Sequence, residues 1–317
     1  MLQEVAAIFG EIVRAGDALA RLGGDEFGVV LDAACYAVKD AGRNRVHEWV
    51  DSDKSVLVRQ GEMQWAKEIP AALEENRFRL YAQRIVAWAG ESRDPHIEVL
   101  LRLVERSGQV VAPGVFLPAA ERFHLVTRID RWMLTQVLSL MQQGALGHFG
   151  MVAVNLSGQS IGDRSFQTFV QDLVSSTSFD HSKLCFEITE TAVVTHIECA
   201  RNFVIAARAL GVKIALNDFG AGASSFGYLK SLPVDYLKID GQFVQRVCED
   251  GLDRTAIRAF RDVARVCGLK TVAEYVEHPD TFAELKNIGI DFVQGYLFHG
   301  PEPIDNLVRA SSTPCES

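Results

Sequence analysis

The stretch that decides the fold is ALNDFGAGASSFGYLKSLPVDYLKID, residues 215–240. An apolar run closes on Asn217-Asp218, and Phe219 leads into Gly220, Ala221 and Gly222. A second short apolar run closes on Lys238-Ile239-Asp240. Both runs have the length and composition of buried strands bounded by turn residues. An amide, a carboxylate and an ammonium thus stand at the ends of two neighbouring strands.

The same pattern extends in both directions. RLYAQRIV (79–86), HIEVLLRL (96–103), MVAVNLS (151–157), KLCFEITE (183–190), VKIALND (212–218), VDYLKID (234–240), KTVAEYV (270–276) and DFVQGY (291–296) read as strands. Amphipathic helical stretches separate most of them, such as IDRWMLTQVLSLMQQ (129–143), CARNFVIAARALG (199–211) and RTAIRAFRDVARVCG (254–268). Eight strands with helices between them predict an α/β fold, a (β/α)8 TIM-like barrel. A doubly wound sheet has the same alternation.

Polar residues gather where these strands end. Glu98 lies in the second strand, and Asn155, Glu187, Asn217, Asp218, Lys238, Glu274 and Gln294 fall at or near the ends of later ones. In a barrel those ends share one mouth. Glu98 and Arg102 share a strand face, as do Lys238 and Asp240, because side chains alternate along a strand. A single polar strand end is often only a loop start; seven strands ending this way point to a site. The donors are hard oxygens with no Cys or His among them, which selects Mg2+ or Mn2+ over zinc. Carboxylates crowded into one mouth repel one another unless cations lie between them. Two metals about 3.5–4 Å apart are the usual arrangement for phosphodiester hydrolysis. Lys238 suits a water or a developing charge, and Arg102 suits a phosphate oxygen.

Composition narrows the function classes. The net charge is −9 without a Lys/Arg block, so general nucleic-acid binding is not expected. No run offers eighteen consecutive apolar residues and the first residues carry no cleavage pattern, so neither a membrane span nor a signal peptide is expected. The six cysteines form no close-spaced pair, which argues against zinc and disulfides and suits a reducing cytoplasm.

EVLLRL (98–103), FLPAAER (116–122), VNLS (154–157), FEITET (186–191), NDFGAGASS (217–225), YLKIDG (236–241), VAEYVE (272–277) and QGY (294–296) resemble the ordered motifs of EAL-domain cyclic-di-GMP phosphodiesterases. The resemblance covers roughly residues 75–305. It implies hydrolysis of cyclic di-GMP to linear pGpG in a bacterial cytoplasm, with two Mg2+ or Mn2+ ions per site. By that resemblance Glu98, Asn155, Glu187, Asn217, Asp218 and Glu274 bind metal, and Lys238 positions the water. Glu98, Asp218 and Glu190 join Lys238 in the catalytic set. Glu190 braces the loop 219–229, which couples metal binding to homodimerisation. Gln83, Arg102, Asp240, Glu277 and Gln294 contact the dinucleotide. Taken alone, Gln83 and Gln294 read equally as partners of strand-end backbone groups, and Glu190 as an acid opening a helix.

Three positions depart from the family pattern. Arg84 stands where proline usually follows Gln83, and Val99 replaces alanine in the name motif. Asn217 stands where catalytically competent members carry an aspartate that bridges both metals. An amide loses a unit of charge and bridges two cations poorly, so the second metal is expected to bind more weakly. Two readings follow: an attenuated phosphodiesterase, or a cyclic-di-GMP receptor that binds with little or no turnover.

ARLGGDEFGVVL resembles the signature of GGDEF diguanylate cyclases, with Gly23, Gly24, Asp25, Glu26 and Phe27 intact. Arg14 and Asp17 occupy the place of that family's inhibitory RxxD motif, and DAACYAVKDAGRNRV resembles its last helix. Elements that should separate these pieces between Leu31 and Asp32 are missing. The expected organisation is an incomplete, mostly helical GGDEF-like remnant over 1–46, a helical connector over 47–75, an EAL barrel over 76–310 and a tail over 311–317. No cyclase activity is expected, which excludes a bifunctional cyclase–phosphodiesterase.

Overall fold

The computed structural model describes residues 18–23, 26–30, 54–88, 94–222 and 226–310. The chain divides into two compact units, one ending at Pro70 and one beginning at Ala71. In the first, β1 (Ala18–Gly23) pairs antiparallel with β2 (Glu26–Val30). Within the remnant expected to be mostly helical, the ARLGGDEFGVVL stretch is therefore a two-stranded hairpin. Its Gly-Asp junction at 24–25 is a strong hairpin signal. The flanking segments expected as helices, within 1–17 and 31–53, and the tail 311–317 lie outside the described residues. A helix spans Lys54–Glu74 and runs through Pro70.

The second unit is the barrel. Its strands are β3 (Phe78–Ala87) and β4 (His96–Val104), then β6 (Met151–Leu156), β7 (Leu184–Thr189), β8 (Lys213–Phe219), β9 (Tyr236–Ile239), β10 (Lys270–Ala273) and β11 (Phe292–Val293). They pair in that order, and β3 closes the ring by pairing with both β4 and β11. Two further strands of two residues each extend the sheet: β5 (Val110–Val111) beside β4 and β12 (Glu302–Pro303) beside β3. From β4 to β11 the ring neighbours are parallel, whereas β3 runs antiparallel to both of its neighbours. The barrel is thus not uniformly parallel. The connection 88–95 is too short for the helical crossover that a parallel pair needs, so β3 and β4 form an antiparallel pair.

Helices cover the outside. The helix Val126–Gln142 buries Val126, Ile129, Met133, Leu134, Val137, Leu138 and Met141, spaced three and four apart as one face requires. Helices Arg164–Ser176 and Gly251–Cys267 begin on Asp163 and Asp250, whose carboxylates accept first-turn N–H groups. Inside, Ile85, Met151, Ala153, Cys185, Ala215, Tyr236, Val272 and Phe292 form an apolar floor. His96 completes it on β4, stacked on Phe292 with ring centroids 4.9 Å apart. Cys185, Cys199, Cys248 and Cys267 are free thiols. Among the described residues no helix is long and apolar enough to cross a membrane.

Candidate active site

On each strand one floor residue has a polar residue two positions nearer the mouth, on the strand or just past its end. The pairs run Ile85 to Gln83, His96 to Glu98, Ala153 to Asn155, Cys185 to Glu187, Ala215 to Asn217, Tyr236 to Lys238, Val272 to Glu274 and Phe292 to Gln294. Strand alternation sends both members of each pair inward. On β3 the step runs backward in sequence because that strand is reversed. The result is one polar layer on an apolar floor. Gln83, Glu98, Glu187, Asn217, Lys238, Glu274 and Gln294 are all buried in it.

Lys238 is its centre. The Nζ atom lies 2.7 Å from Glu187 Oε2, 2.8 Å from Glu274 Oε1 and 3.2 Å from Glu98 Oε2. Burial opposes the lysine's charge, but the three glutamates outweigh it and hold the ammonium well above its usual range. One ammonium does not neutralise three carboxylates, and they divide accordingly. Burial also opposes the charge on Glu98, yet Lys238 and the amide donors of Gln294 and Asn155 hold that carboxyl low. Burial, then the charge on Glu98, pushes Glu187 up to about 8. Burial likewise raises Glu274.

The amides form chains around this cluster. Gln294 Nε2 donates to Glu98 Oε2 at 2.6 Å and to Gln83 Oε1 at 3.1 Å, while Gln83 Nε2 donates to the His299 carbonyl at 2.8 Å. Asn155 Nδ2 donates to Glu98 Oε1 at 2.6 Å, and Asn217 Nδ2 donates to Asn155 Oδ1 at 3.3 Å. The backbone N–H of Asp218 donates to Asn217 Oδ1 at 3.0 Å. That last bond orients the amide at 217, because a backbone N–H needs an oxygen opposite it. Asn217 therefore turns its NH2 toward the layer and spends its oxygen on the backbone.

A bulge sets Asp218. Leu216 pairs with Leu237 and Phe219 with Ile239, so two residues of β8 oppose Lys238 alone. Asp218 takes a left-handed backbone, φ 55°, and is half-buried. Burial, then the charge on Asp240, raises its carboxyl. Asp240 accepts the N–H of Gln242 at 2.8 Å, opening a short helix.

Glu190 follows β7 and is buried. Its oxygens accept the Gly220 N–H at 3.0 Å and the Tyr228 hydroxyl at 2.8 Å, tying both ends of the loop after β8. Nothing local in the sequence marks Tyr228 as the partner of a distant acid. Arg102 lies further along the inward face of β4. Its Nη1 donates to the Leu101 carbonyl at 2.7 Å, and its guanidinium lies over the Tyr81 ring at 5.2 Å. Glu277 is exposed, three residues past Glu274. Neither is joined to the buried layer. The backbone N–H of Arg84 donates to His299 Nδ1 at 3.4 Å, a bond that proline could not make.

The donor set fits hard divalent cations at part of the layer. Glu187 Oε1 is buried with no hydrogen-bond partner, an acceptor that a cation would satisfy. Among the described residues, no three acid, His or Cys side chains close on a point that suits a metal; the glutamates close on Lys238 instead. At position 217 the fit is poorer, because the one oxygen there already accepts the Asp218 N–H and the NH2 group is turned to the layer.

The family model for the EAL domain matches residues 66–301, and that for the diguanylate cyclase GGDEF domain matches residues 1–63. The chain is 38% identical over 285 residues to the cyclic di-GMP phosphodiesterase PdeB of Shewanella oneidensis, covering 89% of this chain and 33% of the relative. It is 35% identical over 238 residues to the cyclic di-GMP phosphodiesterase PdeF of Escherichia coli, covering 74% of this chain and 32% of that relative. The chain thus spans about a third of the length of these two curated relatives. Among solved structures, the PaMucR phosphodiesterase in complex with c-di-GMP superposes with a TM-score of 0.71 at 30% identity, covering 77% of this chain and 99% of that one. The FimX EAL domain from Pseudomonas aeruginosa bound to c-di-GMP superposes with a TM-score of 0.70 at 28% identity, covering 75% and 96%.

Proposed function

The chain belongs to the EAL-domain family, and from that premise we propose that it hydrolyses cyclic di-GMP to linear pGpG, at a rate attenuated by Asn217. The observation that carries this reading is the polar layer itself. The barrel strands bring three glutamates, Asn155 and one buried lysine to a single mouth above an apolar floor. Relatives with that fold are cyclic di-GMP phosphodiesterases.

In this reading Glu98, Asn155, Glu187, Asp218 and Glu274 hold Mg2+ or Mn2+. When bound there, such a cation would lower the pKa of a water and offset charge on the scissile phosphate. Lys238, fixed by three carboxylates, holds the water and donates to oxygen as charge develops there. Gln294 keeps Glu98 in place. Gln83, Arg102, Asp240 and Glu277 form the dinucleotide's surroundings. Glu190 links the loop after β8 to β7, and a homodimer forms through that side of the barrel. Residues 76–310 are the catalytic barrel, 47–75 the connector and 1–46 a GGDEF remnant without cyclase activity.

The bonding of Asn217 favours a second reading, a receptor that binds cyclic di-GMP with little turnover. The deciding experiment follows conversion of cyclic di-GMP to pGpG with Mg2+ and Mn2+, beside binding measured in chelator. Metal-dependent turnover by the unmodified chain supports the enzyme. Binding in chelator without turnover supports the receptor, and absence of both overturns the ligand assignment.

A further inference from the structure

Tyr275 directly follows Glu274, and its backbone is left-handed, φ 55°. Bulky residues rarely adopt that conformation. Strain of this kind concentrates at ligand clamps and active sites. Burial does not account for it, because Tyr275 is 57% exposed.

What the conformation achieves is placement. The ring lies across to the neighbouring strand end and rests on Gly241, just past β9. A Cβ at Gly241 would fall 2.4 Å from Tyr275 Cδ2, so only glycine lets the ring settle there. Tyr275 directly follows Glu274 of the layer and Gly241 directly follows Asp240, so two acids flank the contact. The ring therefore stands at the rim of the polar layer, backed by Gly241 and open to solvent. An acidic rim does not favour a phosphate without a cation. A flat exposed aromatic surface matches a flat purine.

We propose that Tyr275 is the base-stacking residue of this site, its open side receiving one guanine of the bound dinucleotide. The inference rests on the reading of cyclic di-GMP as the ligand. Stacking turns a strained, exposed tyrosine into a specificity contact and leaves the phosphate chemistry to the layer beneath.

The test measures cyclic di-GMP affinity and the KM and kcat of turnover for the full chain, Tyr275→Phe, Tyr275→Gly and Gly241→Ala. Base–aromatic stacking predicts a loss of affinity of roughly five- to hundredfold for Tyr275→Gly. Its kcat stays close to that of the unmodified chain. Glycine suits φ 55°, so the thermal midpoint of that variant does not fall. Tyr275→Phe keeps the ring and binds as the unmodified chain does. Gly241→Ala keeps the tyrosine but displaces its ring, and loses affinity as Tyr275→Gly does. The proposal is overturned if Tyr275→Gly binds as tightly as the unmodified chain, or if Tyr275→Phe weakens binding as much as glycine does. Absence of binding by the unmodified chain overturns the ligand assignment instead.

Discussion

Asn217→Asp tests the site most directly, because the structure shows what the change does atom by atom. The Asp218 N–H keeps one carboxylate oxygen. The other oxygen replaces Nδ2, which donates to Asn155 Oδ1 over 3.3 Å, so a long hydrogen bond becomes an oxygen–oxygen contact. The lost bond is worth about 1 kcal/mol at most. A new carboxylate also joins three glutamates that share one ammonium. Two like charges about 4 Å apart cost roughly 4 kcal/mol at an effective dielectric of 20, an upper figure for each neighbour. In chelator the variant is therefore expected to be about 2–4 kcal/mol less stable, a fall in midpoint of roughly 5–15 °C. Metal reverses the order. A site filled at a hundred times its Kd adds about 2.7 kcal/mol, so Mn2+ should raise the midpoint of Asn217→Asp more than that of the unmodified chain. Turnover to pGpG should rise at least tenfold, about 1.4 kcal/mol of barrier. The assay is thermal unfolding in chelator and in Mn2+, beside product formation. Equal stability of the two proteins in chelator, or equal Mn2+ shifts, would refute the reasoning.

Two further perturbations reach other parts of the barrel. Asp130 is buried and accepts the Ser157 N–H at 3.0 Å and the Ser160 hydroxyl at 2.6 Å, and burial raises its carboxyl to about 6 from an ordinary 3.8. The folded chain therefore holds that proton where the unfolded chain has released it. Its contribution is fully present below about pH 4 and falls through pH 6, by roughly 3 kcal/mol. Denaturant unfolding of Asp130→Asn should lack this slope, and parallel profiles for the two proteins would count against the assignment. Glu190→Gln leaves one oxygen for two donors, Gly220 and Tyr228. It should cost about 1–3 kcal/mol and speed hydrogen exchange at the Gly220 amide, whose unchanged protection would show that the loop is held elsewhere.

The strand pattern of the barrel was legible because apolar runs and their polar ends recur in order. Inward-facing polar residues were legible too, since alternation alone places Glu98 two residues above His96 and Lys238 two above Tyr236. Three features were not. The reversal of β3 follows from the length of the connection 88–95 rather than from any residue in it, so a pattern of strands and polar ends does not reveal it. The bulge that lets Asn217 and Asp218 both face Lys238 is a register property of two strands together. The orientation of the Asn217 amide depends on one backbone N–H, so the sequence supported the loss of charge but not the turning of the NH2 group toward the layer. Tyr275 is illegible for a related reason: its role lies in a backbone angle and in a glycine just past another strand.

Lys238 serves the barrel in two ways, and metal separates them. With 1% of its side chain exposed, it offsets part of the charge of three carboxylates that pair with no other basic side chain among the described residues. Lys238→Met removes that charge and leaves the glutamates buried together, which costs about 3–5 kcal/mol. Loss of turnover in this variant would say little, because a loosened barrel also loses turnover. A divalent cation held by Glu98, Glu187 and Glu274 restores the missing positive charge, so Mn2+ should stabilise Lys238→Met more than it stabilises the unmodified chain. If Lys238 also positions the water, the rescued fold still fails to cleave cyclic di-GMP. Unfolding midpoints and pGpG formation, measured on the same samples across an Mn2+ series, read the two roles independently. Lack of rescue by Mn2+ would remove the glutamates as metal ligands. Full turnover by the rescued variant would remove Lys238 from the chemistry and leave it a purely electrostatic role.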